Sequence, residues 1–249
     1  MKKLFVFMLC FLFLACNHKT EDEPEDDFNC DSWDYPVKPG TEEWKQFTTQ
    51  KEQEAGCQIP EDILLCLSTE RLTDLCLQYP LYVYVLIHNF LDTGLDWLFA
   101  SFNGVQELYK REDMSSFLVK RYMEKIQSLP FLEEDHSILE KGNFMLSITY
   151  LHALLSRVER KHNENTDSLQ DVLRALVAGY EEISQLPDIS MQRSLLKYHF
   201  YTRAHIIIKM CETCLGEIPQ GKANIVFSGN GVENETAGII NNLSYQLIK

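Results

Sequence analysis

Two cysteines near the carboxyl end of the chain, Cys211 and Cys214, have the spacing of a redox pair or of half a zinc site. A redox pair of this kind works when the amino-terminal end of a helix lowers the pKa of a thiol. Here the pair falls at the end of a helix predicted to start near Ser190, where the helix dipole disfavours a thiolate. The chain has no second pair to complete a four-cysteine zinc site. We predict structural thiols or a local disulfide, with the absence of any role as the first alternative and a metal or redox role as the least favoured one.

Histidines are the second group of candidates for chemistry. His199 and His205 are six residues apart on the predicted helix, so they lack the i, i+4 spacing of a helical zinc site. His152 and Glu159 are seven residues apart and share a helix face, but His162 falls in a predicted loop. Hydrogen-bonded core histidines explain both sets better than ligands do. We therefore predict no metal site and no cofactor.

The motifs of the common catalytic folds are missing from the sequence. There is no Gly-x-Ser-x-Gly nucleophile elbow, no phosphate-binding glycine loop and no dinucleotide fingerprint. A non-catalytic protein that binds a protein or glycan partner is therefore the favoured hypothesis. The alternative is a cell-envelope hydrolase or metal-dependent enzyme whose site combines residues that are distant in the sequence.

The amino terminus carries the strongest signal for location. Lys2 and Lys3 give a basic start, and twelve apolar residues follow from Leu4 to Ala15. A membrane-spanning helix needs about 20 apolar residues, so this run is too short to span a bilayer. Its length is typical of the apolar region of a secretory signal. We predict that residues 1–15 form a signal peptide.

The apolar run ends in the sequence Leu12-Phe13-Leu14-Ala15-Cys16. This ending resembles a bacterial lipobox, with Phe13 at the position where leucine is usual. The resemblance implies cleavage before Cys16 and attachment of diacylglycerol and further acyl chains such as palmitate to that cysteine. Two or more chains give a stable membrane anchor, whereas one chain binds reversibly. An ordinary signal peptide cut nearby and a buried amino-terminal helix are the alternatives.

A strongly acidic stretch follows the predicted lipid site. Six of the seven residues from Glu21 to Asp27 are acidic, and none of the seven is apolar. Such a segment cannot repay the entropy of ordering, so we predict a flexible tether over residues 16–40. The acidic run also resembles the surface-export signal of lipoproteins from Bacteroidota-type bacteria. This resemblance implies a surface-exposed protein on the outer membrane, and a simple spacer is the alternative.

The charge of the chain limits the partners it can bind. It has 23 basic and 37 acidic side chains, and cleavage of the signal removes two of the basic ones. A chain this acidic is repelled by phosphate backbones and by anionic lipid surfaces. We therefore predict no nucleic-acid partner and expect contact with the membrane only through the lipid on Cys16.

Six further cysteines remain in the predicted mature chain, and disulfides are permitted in an exported protein. Six cysteines allow 15 connectivities, among which the sequence does not choose. Small buried thiols account equally well for two of them, Cys66 and Cys76. The six are Cys30, Cys57, Cys66, Cys76, Cys211 and Cys214.

The spacing of apolar residues is helical over most of the chain. It recurs at i, i+3, i+4 and i+7, the pattern of one buried helix face. Two examples are the sets Leu72, Leu75, Cys76, Tyr79 and Leu169, Val172, Leu173, Leu176. We predict an all-α protein with one domain over residues 41–249, built from roughly eight helices as an irregular bundle or a stack like that of helical repeats. Short connections indicate antiparallel neighbours.

A few local features are less regular. Thr93 and Asp96 form a capping-box pattern, which predicts a helix start at that point. Residues 81–91 are apolar nearly all round, so a strand competes there with the favoured helix. Residues 224–228 are predicted to form a short strand or an extended segment. Arg203 falls on the apolar side of its helix and is expected to need a buried acidic partner.

The most distinctive run extends from Cys57 to Asp113. Its segments include Cys57-Gln58-Ile59-Pro60-Glu61-Asp62, Cys76-Leu77-Gln78-Tyr79-Pro80-Leu81 and Gly94-Leu95-Asp96-Trp97-Leu98-Phe99. The run resembles a group of Bacteroidota lipoproteins, and the resemblance implies a compartment but no activity. Polar side chains lie beside aromatic ones in this run, as on a binding surface, although an ordinary solvated helix face explains them as well. The polar residues are Asn89, Asp92, Asp96, Asn103, Glu107 and Arg111.

Overall fold

The structure is a computed structural model, and it describes residues 29–132, 135–158, 167–217 and 234–249. Within these ranges every regular element is a helix, which confirms the predicted all-α class. The segment predicted to be extended, residues 224–228, lies outside the described residues.

The described chain contains eleven α-helices and four short 3₁₀ helices, more than the eight helices predicted. The difference arises because α1, α2, α4 and α6 have only five to seven residues each, too short for a clear helical period. The α-helices are α1 Gln50–Gly56, α2 Glu61–Cys66, α3 Thr69–Leu77, α4 Tyr82–Leu86, α5 Leu91–Ser101, α6 Asn103–Leu108, α7 Met114–Gln127, α8 Ile138–Ser156, α9 Asp167–Ile183, α10 Ile189–Met210 and α11 Asn234–Leu247. The 3₁₀ helices are Cys30–Ser32, Trp44–Gln46, Leu129–Leu132 and Glu212–Glu217.

The four longest helices that follow one another in the chain, α7 to α10, form the centre of the domain. Helix α10 packs against α8, α9 and α11, while α7 packs against α8 and α9. His199 of α10 lies beside the carbonyl of Leu176, and Gln192 lies beside that of Ser184, so α9 and α10 are antiparallel. This arrangement is the one expected for helices joined by a short connection.

The predicted apolar stripes are the core of the domain. Leu72, Leu75, Cys76 and Tyr79 are completely buried on α3 and just after it, as are Leu169, Val172, Leu173 and Leu176 on α9. Burial of a leucine-sized side chain stabilises a fold by about 1.5–3 kcal/mol. Helix α3 packs against α7 and α8, and α9 packs against α7, α10 and α11, so the two stripes belong to different parts of the same core.

The predicted capping box at Thr93 was wrong. Helix α5 begins earlier, at Leu91, after Phe90 in an extended conformation and without a side-chain cap. Thr93 therefore lies within the first turn. The carboxylate of Asp96 is bound to Arg157, 2.8 Å away, and does not fold back on its own helix. A contact distant in the sequence thus replaces the local capping interaction.

The apolar segment 81–91 is partly helical, which agrees with the helix that the sequence analysis favoured over a strand. Helix α4 covers Tyr82–Leu86, and the chain then bends before α5 begins. Gly94 of α5 packs directly on the backbone of α4, where a Cβ atom would overlap the carbonyl of Val85. The close contact between α4 and α5 therefore requires a glycine at this position.

The segment that follows the acidic run is packed on the helices. Cys30 is joined by a disulfide to Cys66 at the end of α2. Tyr35 is buried, and its hydroxyl donates a hydrogen bond to the carbonyl of Leu75 at 2.9 Å. The tether predicted over residues 16–40 thus overlaps the folded domain, because aromatic residues here supply the buried surface that the acidic run lacks.

We expect Gly94→Ala to destabilise the domain by about 1–3 kcal/mol, because the added methyl group overpacks the contact between α4 and α5. Gly142→Ala is the matched control, since Gly142 also lies within a helix but has open space around its Cβ position. The control should instead stabilise the domain by up to about 1 kcal/mol. Guanidinium unfolding curves of the two variants measure the difference, and equal stability would contradict the close contact.

Candidate functional site

The surface formed by α4 and its connection to α5 exposes large apolar side chains. Val83 lies on α4, and Ile87 is the residue directly after the helix, four positions further along the chain. Their exposed fractions are 37% and 68%, and that of Phe90 is 52%. Neighbouring exposed apolar groups of this size mark interaction surfaces. We call this region the α4–α5 surface and define it by Val83, Tyr84, Ile87, His88, Asn89, Phe90 and Trp97.

Trp97 is the aromatic centre of this surface, and its neighbours hold it in place. Its indole nitrogen donates a hydrogen bond to Glu54 at 3.0 Å. The ring of Tyr84 meets it edge to face with 5.7 Å between centroids, and the ring of His88 lies 6.3 Å away. A tryptophan that is already ordered loses little entropy when a partner packs on it. Residues of this type dominate binding energies in protein interfaces.

A shallow groove of about 600 Å³ runs beside Trp97 between α1 and α5. Glu54 in its wall accepts a second hydrogen bond, from the side-chain amide of Gln50 at 2.8 Å. The groove is lined by Thr49, Gln50, Lys51, Glu54, Trp97, Ala100 and Ser101. These side chains offer one carboxylate, one amine, an amide and hydroxyl groups around an aromatic ring. Such a set suits stacking and hydrogen bonding to a partner better than proton transfer, which needs paired acid and base groups.

A second, smaller cavity of about 310 Å³ lies between α3, α7 and α8, and we call it the α3–α7–α8 cavity. Its size is at the low end of the range for small-molecule sites, about 300–1,000 Å³. The lining combines charged, polar and apolar side chains from all three helices. They are Asp74, Leu77 and Gln78, then Arg121, Glu124, Lys125 and Ser128, then Ser147 and Leu151.

Arg121 organises the charged wall of this cavity. Its guanidinium binds both carboxylate oxygens of Asp74, at 2.6 and 2.9 Å, and lies 3.1 Å from Glu124 and from Glu70. The hydrogen bonds to Asp74 raise the pKa of Arg121, and a hydrogen bond from Lys120 lowers the pKa of Glu70. Paired, bidentate contacts of this kind fix the geometry of the wall.

Lys125 differs from the other basic side chains of α7. Its amine lies over the ring of Phe144, 5.1 Å from the centroid, and has no carboxylate within 4 Å in the described part of the chain. Partial burial lowers its pKa. The side-chain amide of Gln78 also lines the cavity. The cavity therefore contains one cation that no acidic side chain of the described residues neutralises.

Two histidines, His152 and His199, lie in the core of the bundle. His152 and His199 are completely buried, and burial lowers the pKa of His152 to about 3 and that of His199 well below its usual value. His152 lies 3.4 Å from the hydroxyl of Tyr122, and His199 lies 2.6 Å from the carbonyl of Leu176. Both imidazoles are therefore neutral and serve the core, in agreement with the explanation favoured from the sequence.

Arg203 is completely buried and is bound by neutral acceptors from α11. It donates hydrogen bonds to Ser244 at 3.0 Å and to Asn241 at 2.5 Å, and it stacks on the ring of Tyr180. Burial lowers its pKa to about 10. The expected acidic partner is not found among the described residues. Helix α11 instead supplies the acceptors, which ties the carboxyl-terminal helix to the centre of the bundle.

Asp92 connects α5 to the end of α8 and to α10. It accepts hydrogen bonds from Tyr201 at 2.7 Å and from Arg157 at 3.2 Å, and Arg157 also binds Asp96. His205 lies 3.9 Å from Asp92, and burial lowers the pKa of this histidine. Both aspartates were candidates for a binding surface. In the structure they form part of an ion-pair network that joins three helices.

Other members of the predicted binding set also hold the fold together. The side chain of Asn103 exchanges hydrogen bonds with the backbone of Ile59, at 2.7 and 3.1 Å. Arg111 donates to the carbonyl of Leu67 at 2.5 Å and pairs with Glu107. Of the six predicted residues, Asn89 is the one that belongs to the α4–α5 surface.

The cysteines are divided between disulfides and buried thiols. Cys211 and Cys214 form a disulfide directly after α10, which is one of the two alternatives left open by their spacing. Cys57 and Cys76 are buried thiols, and burial raises the pKa of Cys57 to about 11. Thiols of this kind are unreactive. The predicted lipid site Cys16 lies outside the described residues, as do Glu159 and His162.

Sequence patterns did not indicate Trp97 or Lys125. Trp97 lies on a helix whose buried face is Leu91, Gly94, Leu95 and Leu98, so it is indistinguishable in the sequence from an ordinary boundary aromatic. Lys125 lies four residues after Arg121 on α7, and such a pair has the pattern of a solvated helix face. The one local signal that could have located the surface was the apolar character of residues 81–91 on all sides, since a short helix cannot bury every side chain.

Within the described ranges, no group of three or more histidine, cysteine or acidic side chains could hold a metal ion. In the same ranges, no helix combines the length and the apolar character needed to cross a bilayer.

Comparisons of the chain with family models, with curated proteins and with solved structures found no match. The features that bear on function are therefore the α4–α5 surface, the α3–α7–α8 cavity and the amino-terminal sequence.

We expect the free energy of unfolding to decrease as the pH falls from about 6 to 4. The unfolded state binds a proton at His152 below its ordinary pKa of 6.5, whereas the folded state does so only near pH 3. Each such histidine contributes a slope of about 1.4 kcal/mol per pH unit in this window. Urea unfolding at several pH values should give a smaller slope for His152→Leu than for the unchanged protein.

His88→Gln is the control for this experiment, because His88 is an exposed histidine outside the core. We expect this variant to keep the slope of the unchanged protein. An unaltered slope in His152→Leu would show that the buried imidazole does not remain neutral on folding.

Proposed function

We propose that this chain is a lipid-anchored binding protein of the bacterial cell envelope. Lipid on Cys16 holds it to the outer membrane, the helical domain faces the medium, and the α4–α5 surface binds a protein or glycan partner without catalysis. The observation that carries the proposed binding function is the combination of exposed Ile87 and Phe90 with an ordered Trp97.

The grouping of these side chains supports a binding role. Val83, Ile87 and Phe90 are exposed within one short segment, and the rings of Tyr84 and His88 from the same segment lie near Trp97. Ordered aromatic groups surrounded by polar side chains are typical of the centre of an interface. The groove beside Trp97 adds hydrogen-bonding groups that can bind a peptide backbone or sugar hydroxyls.

The cysteine pairing supports export. Two disulfides, Cys30 with Cys66 and Cys211 with Cys214, are expected in an oxidising compartment and are rare in a reducing one. The first of them joins the domain to the segment that follows the acidic run. A pull on the lipid anchor is thereby transmitted through a covalent link to α2.

A cell-envelope hydrolase or metal-dependent enzyme remains the alternative function. It requires several carboxylates or histidines that converge in one cleft and are free to act. In the α3–α7–α8 cavity, both carboxylates, Asp74 and Glu124, are bound to Arg121. The groove beside Trp97 holds the single carboxylate of Glu54. These arrangements favour binding over catalysis.

We expect Cys16→Ala to release the protein from the membrane fraction, because the variant lacks the thiol that accepts the lipid. Protease treatment of intact cells should remove the unchanged protein from a blot, since its domain faces the medium. A membrane-bound Cys16→Ala variant would contradict the anchor. A protein protected from protease would contradict exposure at the surface.

We expect Ile87→Ser to weaken binding of the partner by about tenfold or more, the effect of losing about 1.4 kcal/mol or more at the centre of an interface. Leu139→Ser is the matched control, because Leu139 is equally exposed, at 73%, but lies on α8. The measurement is binding of the full protein to arrays of glycans and to purified envelope proteins. Equal losses in both variants would contradict the α4–α5 surface as the binding site.

A further inference from the structure

We propose that the α3–α7–α8 cavity is a second binding site, distinct from the α4–α5 surface, and that it binds a small molecule with one carboxylate group and an apolar body. Lys125 binds the carboxylate, and Leu77 and Leu151 contact the apolar body. The proposal is independent of the partner bound at the α4–α5 surface.

The pairing of charges along α7 carries the argument. Lys120 is bound to Glu70 at 2.7 Å, and Arg121 is bound to Asp74 and Glu124. Lys125 follows on the same helix, is partly buried and lines the cavity without an acidic partner in the described ranges. The neighbouring carboxylates are bound to Lys120 and Arg121, so the amine of Lys125 is available to an anionic group supplied from outside.

Two helix ends near the cavity disfavour an anionic group that carries two negative charges. Helix α3 ends at Leu77 and α7 ends at Gln127, and both carboxyl-terminal ends adjoin the cavity. The partial negative charge of such ends opposes a group with two negative charges. A carboxylate balances the single charge of Lys125, whereas a phosphate monoester adds a second charge beside these ends and beside Glu124. The site therefore favours a carboxylate over a phosphate.

The remaining lining defines the rest of the ligand. Leu77 and Leu151 form the apolar part of the cavity, and the amide of Gln78 and the hydroxyl groups of Ser128 and Ser147 form its polar edge. The volume of about 310 Å³ accommodates a compact ligand. A short aliphatic acid reproduces the charge and the apolar body that these side chains require.

The test uses hexanoate as the probe, with hexanamide and hexyl phosphate as matched probes for a neutral and a doubly charged head group. The full-length protein is titrated with each, and mass spectrometry measures how fast an amine reagent modifies Lys125. We expect hexanoate to slow this modification in a saturable manner and the other two probes to have at least tenfold weaker effects. Lys120 is an internal control, because it lies on the same helix outside the cavity.

Two variants complete the test through binding of hexanoate detected by ligand-observed NMR. Lys125→Met removes the charge, keeps the length of the side chain and should reduce the affinity at least tenfold, while Lys120→Met should leave the affinity unchanged. Equal binding of hexanoate and hexanamide, or equal affinities of the two variants, would overturn the proposal. Tighter binding of hexyl phosphate would overturn the choice of a carboxylate.

Discussion

Helix α10 lies between α8, α9 and α11, and its buried residues include the polar side chains of His199 and Arg203 beside apolar ones. A buried guanidinium is costly unless hydrogen bonds replace its water. Ser244 and Asn241 of α11 accept hydrogen bonds from two of the three guanidinium nitrogens and so join α11 to α10, while the third nitrogen has no hydrogen-bond partner among the described residues. The histidine avoids the same cost by remaining neutral. The centre of the bundle therefore contains polar groups whose hydrogen bonds come from neighbouring helices.

The two candidate sites depend on this centre through contacts between elements. Tyr201 of α10 binds Asp92 of α5, which holds α5 and the surface it carries against the bundle. Arg121 of α7 binds Asp74 of α3, which closes one wall of the α3–α7–α8 cavity. Asp92, which the sequence predicted as part of a binding surface, thus holds in place the helix that carries Trp97.

A domain with a preformed surface has a clear advantage over one that folds on binding. The disulfide from Cys30 to Cys66 joins the first described segment to the helices, and hydrogen bonding to Glu54 keeps Trp97 in place. Ordering side chains in advance lowers the entropic cost of association.

The sequence by itself determined the helical class, the buried stripes such as Leu72 to Tyr79 and Leu169 to Leu176, and the hypothesis of a lipid on Cys16. Each of these depends on residues within a few positions of one another, whose spacing reports burial or processing directly. Only the tertiary structure decided that Asp92 and Asn103 hold helices together, that Trp97 is fixed by Glu54, and that Lys125 lacks an acidic partner in the described ranges. The hydrogen bonds of Asp92, Asn103 and Trp97 connect residues more than 40 positions apart in the sequence. Local periodicity contains no information about which distant helix supplies a partner.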